Sequence, residues 1–390
     1  MALISMNGGG DITQVLADED WIVEQHLPGR LWTIGQGNNA ANTPVQIGSG
    51  VNWSRLYPIG PQSGTTHFAM TKDGQVYGWG TYNDTGQLGI GSTANQTSPG
   101  TALSGSYKNW RLVTGGSSSA GIRSDGTLWT WGQGYYGLLL DGSTANRTTP
   151  SKVGTDTDWH LIQYPTNGSM VLLKTNGDLY LQNTIYSGYS GANISALSLN
   201  REAGPWGKAR QIASDDGSLV ILGEDGKMYL FDGANFNWGR SGQSSPIDLG
   251  AIISSAGDRS WSQVAVMGYK FGTNVANWTQ SIIAIAGDGT LWSYGYNDYG
   301  QLGLGDTTYR TSFVQVGTSN DWKQVISSGI NYRACMAVKH DGTLWAWGRN
   351  QGLFGNGSTA DSYSPVRVGS YNYWKEIAVS QGKFVGISYY

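Results

Sequence analysis

The stretch DGTLWSYGYNDYGQLGLGDTTYRTSFVQVGTSNDWKQV at residues 288–325 contains the motifs that decide the fold. It begins with Asp-Gly, which predicts a type I′ hairpin turn with positive φ at both turn positions. The alternating segment LWSYG follows and is typical of a β-strand. The glycine-rich GQLGLG then predicts a tight loop, and DWKQV is a candidate for another strand. The stretch therefore predicts a β unit of three or four strands.

Related units recur along the whole chain, about 50 residues apart. The first apolar residues after the turn are Leu31, Val76, Leu128, Leu179, Met228, Leu291 and Leu344. A second series of markers interleaves with these residues, one per unit: Trp53, Trp110, Trp159, Trp206, Trp261, Trp322 and Trp374. Two independent series that agree in number predict seven units.

Units of this size and strand content favour an all-β fold, a seven-bladed β-propeller, over a solenoid with polar caps. The terminal segment KFVGISYY at 383–390 alternates in polarity and has no Asp-Gly turn after it. Pairing of this strand with the first blade would close the ring and remove exposed strand edges. The segment WIVEQ at 21–25 competes for the same place, and the sequence leaves both open. We expect an N-terminal arm at 1–20 and one propeller domain at 21–390.

The motifs NDTGQLGIG (83–91), GYYGLLLDG (134–142) and NQGLFGNG (350–357) repeat the middle of the unit. With the DG-T-LW-x-WG and DW elements, they make residues 28–390 resemble repeats of the regulator-of-chromosome-condensation type, in their bacterial and phage subset. The resemblance implies a seven-bladed propeller. Units four and five depart from the pattern after Tyr180 and Tyr229, so less regular blades are expected near 181–205 and 232–260.

Composition argues against several classes of function. The chain has 24 basic and 27 acidic residues, a net charge of −3 and no basic cluster, so nucleic-acid binding is not expected. No apolar run approaches the roughly 18 residues of a membrane helix, so membrane insertion is not expected either. The start of the chain lacks the features of a secretory signal.

Residues that carry chemistry are sparse. Cys335 is the single cysteine, and the four histidines (His26, His67, His160 and His340) fall in different units at different places. No nucleophile elbow, phosphate loop or zinc-protease motif occurs. We therefore expect no catalytic, cofactor-binding or metal-binding residues, and hence a protein that is not an enzyme and has no cofactor.

Aromatic residues outside the repeating pattern are the best candidates for partner contacts, because rigid aromatics concentrate at interface hot spots. The loops at 56–66 and 267–281 vary in length, and alternating strand direction places them opposite the Asp-Gly turns, beside the GQLG loops. The candidate partner-binding residues are Tyr57, Tyr135, Tyr136, Tyr269, Phe271, Trp278 and Tyr309.

These features predict a noncatalytic protein–protein interaction propeller. The first hypothesis is a structural or host-contact component of a tailed-phage virion (tail, baseplate, fibre or capsid decoration), made in the host cytoplasm and later exposed outside the cell. Its partners would be virion neighbours or a host surface receptor, with assembly through the N-terminal arm. The alternative is a soluble or secreted, extracellular propeller that inhibits or adapts a partner, similar to propeller-type β-lactamase inhibitors. The resemblance also implies a third hypothesis, a nucleotide exchange factor for a small GTPase.

Overall fold

A computed structural model describes residues 29–34, 43–49, 52–57, 66–105, 107–166, 169–182, 199–203, 209–215, 218–231, 247–248, 259–268, 280–329, 332–380 and 383–389. Apart from one 3-10 turn at Tyr135–Gly137, the regular elements of these ranges are strands. In chain order they are β1 Arg30–Ile34, β2 Val45–Gln46, β3 Trp53–Tyr57, β4 His67–Thr71, β5 Val76–Trp79, β6 Trp110–Gly115, β7 Ser118–Arg123, β8 Leu128–Gly132, β9 Arg147–Val153, β10 Trp159–Thr166, β11 Ser169–Lys174, β12 Asp178–Gln182, β13 Leu199–Ala203 and β14 Ala209–Asp215. The remaining strands are β15 Ser218–Gly223, β16 Met228–Phe231, β17 Ile247–Asp248, β18 Trp261–Met267, β19 Ser281–Ala286, β20 Leu291–Gly295, β21 Arg310–Gln315, β22 Trp322–Ser327, β23 Ala334–Lys339, β24 Leu344–Gly348, β25 Ser362–Arg367, β26 Trp374–Ser380 and β27 Lys383–Ser388.

The described strands form seven antiparallel sheets, which are the blades of a seven-bladed β-propeller, as predicted. Blade 1 consists of β26, β27, β1 and β2 from the inside outward, and blade 2 of β3, β4 and β5. Blades 3 to 7 are β6–β9, β10–β13, β14–β17, β18–β21 and β22–β25. The first strand of each blade contacts the first strands of its neighbours, and these seven inner strands surround the axis. In blade 2 the isolated bridges Tyr77↔Ala102 and Gly80↔Gln96 take the place of a fourth strand.

The ring closes in blade 1, where the two ends of the described chain meet. β27 pairs with β1 from Arg30↔Ser388 to Ile34↔Phe384, and with β26 on its other side. The indole N–H of Trp32 donates a 2.7 Å hydrogen bond to the Ser388 hydroxyl. The predicted closure by the C-terminal strand is confirmed, with residues 383–388 beside β1. The competing segment 21–25 and the predicted arm at 1–20 lie outside the described residues.

The hairpin turns differ from the predicted type I′. Gly74 has φ +81°, but Asp73 is not among the described residues with positive φ. The Gly74 N–H donates to the Thr71 carbonyl at 3.0 Å, and the Thr71 N–H donates to the Gln75 carbonyl at 2.9 Å. This is a type I turn followed by a left-handed glycine, which needs only one residue with positive φ. The type I′ prediction was therefore wrong.

The side chains of the turn explain why Thr and Trp follow Asp-Gly. The Asp125 carboxylate accepts hydrogen bonds from the Thr127 backbone N–H (3.1 Å) and hydroxyl (2.6 Å), and Thr127 Oγ1 accepts one from Trp129 Nε1 (2.9 Å). The same chain of three side chains occurs in Asp288–Thr290–Trp292 and Asp341–Thr343–Trp345. Each repeat therefore ties its turn to the first large aromatic residue of the next strand.

A β-bulge occurs near the start of all seven inner strands. In blade 4 the register with β11 shifts between Trp159 and Leu161, and the other blades shift at the equivalent place. In blade 5 this place belongs to Ala209, which is 1% exposed. The sequence marker Trp206 thus precedes the inner strand by three residues, outside the described part, and does not occupy the equivalent position.

Blades 4 and 5, the units with degenerate motifs, retain four strands each. β13 pairs with β12 over five residue pairs, from Asp178↔Ala203 to Gln182↔Leu199. β17 pairs with β16 through Tyr229↔Asp248 and Leu230↔Ile247. Loss of the WG and GQLG motifs therefore does not remove the outer strand. The connections at 183–198 and 232–246 lie outside the described residues.

Candidate functional site

The two ends of the ring carry different loops. At one end, here called the turn face, the Asp-Gly turns meet the segments that enter the inner strands, as in the 3.2 Å hydrogen bond from Trp159 N–H to the Gly126 carbonyl. At the other end, the loop face, the GQLG-type loops lie beside the connections from first to second strands. The Gln133 N–H donates to the Ser117 carbonyl there at 3.0 Å, and the Arg349 N–H to the Arg333 carbonyl at 3.1 Å. The described connections between first and second strands therefore lie opposite the turns, whereas residues 58–65 and 269–279 of the two predicted variable loops lie outside the described part.

The loop face is rigid because a buried asparagine organises each regular GQLG-type loop. Asn83 is fully buried; its Oδ1 accepts from Leu88 N–H at 2.9 Å, and its Nδ2 donates to the Ser92 and Ala94 carbonyls at 3.0 and 2.7 Å. Asn297 and Asn350 make equivalent bonds in blades 6 and 7. These residues are absent from the sequence-based candidates, although an asparagine shortly before the first glycine of each of these three motifs is a signal for them.

The glycines of these loops allow the tight turns that the sequence predicts. Gly86 and Gly89 have φ values of +83° and +69°. A Cβ atom at Gly89 would lie 2.7 Å from Nε1 of Trp131 in the next blade. Larger residues are therefore unfavourable there on two grounds, backbone conformation and space.

On this platform, two arginines and two tyrosines meet across the junction of blades 6 and 7. The Arg333 Cζ atom lies 4.7 Å from the ring centroid of Tyr296 and 5.4 Å from that of Tyr299, and Arg349 Cζ lies 5.1 Å from Tyr299. We call these four residues the Arg–Tyr cluster. Guanidinium groups at these distances are attracted to the faces of the rings. The cluster thus fixes two positive charges against aromatic surface.

The local backbone and electrostatics hold the cluster in place. Arg333 has φ +51°, an uncommon left-handed conformation for a residue with a long side chain. The Tyr296 hydroxyl donates to the Asp298 carboxylate. Burial, followed by this hydrogen bond, raises the pKa of Tyr296 above its usual value. Tyr296 is therefore a neutral hydrogen-bond donor throughout the physiological pH range.

Exposed aromatic side chains add to the same face. Among the described residues, the exposed large hydrophobic side chains are all tyrosines: Tyr82, Tyr135, Tyr363 and Tyr371. The first three belong to the loop face, since they lie in or beside the loops at 80–95, 133–146 and 349–362. Tyrosine combines apolar area with a polar tip and is frequent in protein interfaces.

The candidates predicted from the sequence have different locations. Tyr135 is 55% exposed on the loop face, whereas Tyr309 is partly buried next to Tyr294. The side chain of Tyr136 and residues 269–279, which include Tyr269, Phe271 and Trp278, lie outside the described part. Tyr296, Tyr299, Arg333 and Arg349 were missed.

Tyr57 requires a correction. It is 1% exposed, and its hydroxyl donates a 2.6 Å hydrogen bond to the Trp110 carbonyl of blade 3. Burial is the main cause that raises its pKa. As the last residue of an inner strand, it points at the neighbouring blade rather than at solvent, so its predicted exposure was wrong.

Side chains of the inner strands form hydrogen bonds to the backbone of the neighbouring inner strand. The Gln324 side-chain amide donates to the Ile377 carbonyl and accepts from the Ile377 N–H, both at 2.8 Å. Gln211 forms the same pair with Val264 at 2.7 and 2.9 Å. Gln263 Oε1 accepts from Val325 N–H at 2.8 Å, and Glu376 accepts from Leu56 N–H at 2.9 Å. We call these Gln and Glu side chains the belt. They satisfy the hydrogen bonding of inner-strand backbone groups that would otherwise face the channel.

Some functional features are absent from the described ranges. There, no three His, Cys, Asp or Glu side chains group together in a way that could hold a metal ion. Cys335 is fully buried, and burial raises the pKa of its thiol well above the usual value. No helix long and apolar enough to cross a membrane occurs in the same ranges.

The fold is a seven-bladed propeller whose loop face is organised by buried side chains. Comparison with known proteins identifies the type of repeat. Residues 73–121 and 288–335 match the Regulator of chromosome condensation (RCC1) repeat. These two segments therefore match RCC1-type repeats; the bacterial and phage subset stays a prediction.

Several known proteins are similar to this chain in sequence or in fold. The Ultraviolet-B receptor UVR8 of Arabidopsis thaliana is 25% identical over 367 residues, covering 93% of this chain and 69% of the receptor. Human Regulator of chromosome condensation is 25% identical over 380 residues, covering 87% and 85%. The human E3 ubiquitin-protein ligase HERC2 is 27% identical over 381 residues, but the chain spans only 6% of its length. The structure of Prp20p from Saccharomyces cerevisiae, a protein characterised for binding to Gsp1p and histones, superposes with a TM-score of 0.67 at 17% identity and covers 95% of this chain and 94% of Prp20p. This last likeness concerns the fold alone.

Proposed function

We propose that this chain is a noncatalytic protein-binding propeller that receives its partner on the loop face. The observation that carries the proposal is the Arg–Tyr cluster, in which Arg333 and Arg349 of blade 7 stack against Tyr296 and Tyr299 of blade 6. Arginine and tyrosine are the residue types that dominate binding energy at protein interfaces.

Buried hydrogen bonds fix the loops that carry the Arg–Tyr cluster, so the cluster should lose little conformational freedom when a partner binds. Asn297 and Asn350 are fully buried and hold the two loops that present it. Tyr299 is also fixed through its backbone, because its N–H donates to Gln301 Oε1 at 3.0 Å. A preorganised surface retains more of its contact energy as affinity.

The expected setting of the partner is the virion or the host surface. Low charge (13% Asp, Glu, Lys and Arg) and 59 glycines support a protein made in the cytoplasm and later exposed outside the cell. Mass spectrometry of purified virions tests this setting, with detection only in the free culture fluid favouring the extracellular inhibitor or adaptor instead.

A second candidate function is nucleotide exchange on a small GTPase. It is supported by similarity to human Regulator of chromosome condensation over 85% of the length of that protein. Accelerated release of a fluorescent GDP analogue from candidate GTPases would favour it over a purely structural or inhibitory role.

The loop-face proposal is tested by affinity purification with matched variants. The double variant Arg333→Ala/Arg349→Ala removes the cations of the cluster. Arg123→Ala is the control, since Arg123 also stacks on an aromatic ring, 5.8 Å from the Trp129 centroid, but at the turn face. We expect recovery of the partner to fall by about tenfold or more for the double variant and to be unchanged for the control. Equal losses for both, or full recovery by the double variant, would overturn the proposal.

A further inference from the structure

The β-bulges of the inner strands gather basic side chains at the turn-face end of the axial channel. The bulge position directly after the Trp place is Ser54 in blade 2 and Ser262 in blade 6, and in the other five blades it is basic. The basic residues are Arg111, His160, Arg210, Lys323 and Lys375. Arg55 follows at the next position of blade 2. We call these six residues the basic collar.

Hydrogen bonds show that collar side chains extend toward the next blade around the ring rather than outward. The Arg55 guanidinium donates to the Arg111 carbonyl at 2.8 Å, and Arg111 donates to the His160 carbonyl at 2.9 Å. His160 Nε2 lies 2.9 Å from the Ala209 carbonyl. Lys375 Nζ donates to the Ser54 carbonyl at 3.1 Å. Each of these side chains therefore reaches the inner strand of the following blade.

Five of the six collar residues are Arg or Lys and carry positive charge, in a chain whose net charge is −3. In the first three residues after the Trp place, Glu376 is the one carboxylate on the described inner strands. The nearest carboxylates of the entering loops have cationic partners of their own: Asp158 lies 3.0 Å from Lys174 Nζ, and Asp321 lies 2.8 Å from Lys339 Nζ. Burial and then the positive charge of Arg55 lower the pKa of Arg111. The collar therefore carries more positive than negative charge.

Beyond the collar, the channel contains a cavity of about 320 Å³ that all seven blades line, with apolar side chains beside polar ones. Leu56, Leu112, Leu161, Ile212 and Ile377 contribute to its wall, and the belt of Gln and Glu side chains already satisfies neighbouring backbone groups. Arg210 and Glu376 are the charged residues of the lining. Arg210 is exposed, and no hydrogen bond or ion pair to it occurs within the described part of the chain.

We propose that the axial channel binds a small organic anion, a carboxylate or phosphate monoester with an apolar tail, whose charged group lies at the basic collar and whose tail lies in the cavity. A charged mouth with walls of low polarity concentrates anions by focusing the electric field. The cavity volume is at the lower end of the range for small-molecule sites, about 300–1,000 Å³. The basic collar lies at the opposite end of the ring from the Arg–Tyr cluster, whereas the cavity extends to Gly329, whose carbonyl accepts a 2.9 Å hydrogen bond from the Arg333 N–H.

Isothermal titration calorimetry with octanoate and octyl phosphate tests the proposal. We expect one site per chain, binding that weakens with added salt, and no comparable binding of octanol or inorganic phosphate, which lack the charge and the tail respectively. Preference for one of the two probes identifies the anionic group. Equal binding of octanol would show a purely apolar cavity and would contradict the proposal, as would no binding of either anion.

Variants locate the anion. Arg210→Gln should weaken binding of the preferred probe by about fivefold or more, because it removes a cation of the lining. Arg367→Gln, an exposed arginine on the outer strand of blade 7, is the matched control and should bind like the wild type. Lys323→Gln provides a second test if Arg210→Gln folds poorly. Unchanged binding by folded collar variants would refute the assignment.

Discussion

The indole N–H of Trp131 in blade 3 donates a 3.0 Å hydrogen bond to the backbone carbonyl of Gln87 in blade 2. Trp347 of blade 7 makes the same bond to Gln301 of blade 6 at 2.9 Å. The second aromatic residue of each LWxWG segment thus anchors the GQLG-type loop of the preceding blade, so a strand of one repeat holds the loop face of another.

Replacing this anchor should destabilise the protein. Trp131→Phe keeps an aromatic ring but leaves the buried Gln87 carbonyl with fewer donors, and we expect a loss of about 1–3 kcal/mol in the free energy of unfolding. Urea denaturation measures it. Tyr371→Phe, at a residue 43% exposed, is the control and should change stability little. A loss no larger than that of the control would show that the hydrogen bond contributes nothing net.

Substitution of a buried loop asparagine should lower the free energy of unfolding more than substitution of an exposed loop residue. Asn297→Ala removes bonds to Leu302 N–H and to the Asp306 and Thr308 carbonyls. Unsatisfied buried groups should cost about 2–3 kcal/mol. Hydrogen exchange should also speed up at 297–308, with blade 3 as the internal reference. Unchanged exchange in this loop would contradict the organising role.

Substitution of two glycines by alanine distinguishes the energetic cost of backbone conformation from the cost of steric overlap. Gly142 has φ +77°, and a Cβ atom added there would have nothing within 4 Å, so Gly142→Ala should cost only the conformational penalty, about 1 kcal/mol. Gly89→Ala carries the same penalty and also displaces Trp131. Its free energy of unfolding should therefore fall further than that of Gly142→Ala. Equal losses would mean that the tryptophan moves away without cost.

The Asp–Thr–Trp chain should make stability depend on acid. The hydroxyl of Thr290 lowers the pKa of Asp288 below its usual value of 3.8. The stabilisation is therefore present above pH 3.8 and is lost as the pH falls through the lowered pKa. Thr290→Val should reduce the difference in unfolding free energy between pH 6 and pH 2.5, whereas Thr290→Ser, which keeps the hydroxyl, should retain it. A valine variant with the wild-type acid dependence would exclude this coupling.

The fold was predictable because its determinants repeat: one glycine-containing hairpin turn per unit and a tryptophan at the start of six of the seven inner strands set the number of blades, and 383–390 suggested how they close. The turn type was not predictable in this way. In the turn at Asp73 and Gly74 only the glycine has a positive φ, and the Asp-Gly dipeptide is compatible with this turn as well as with type I′. Trp206 misled for a related reason, since Ala209 fills the equivalent place and packing tolerates a small residue there.

The candidate surfaces were predictable only in part. Tyr135 is exposed as expected, but exposure of Tyr57 depends on which side of an inner strand faces the next blade. The Arg–Tyr cluster joins Tyr296 and Tyr299 to Arg333 and Arg349 from another repeat. Such contacts require the angle between neighbouring blades, which no single repeat encodes.

Blade 1 combines strands that are more than 300 residues apart in sequence, as in the pair Arg30↔Ser388. On the ribosome, residues 30–46 therefore wait for their partner strands until residues 374–388 have been translated. Contacts of such long sequence separation slow folding and leave unpaired strands available for aggregation. A premature stop codon that removes residues 374–388 should therefore be as damaging as one near the middle of the chain, because blade 1 would lose β26 and β27.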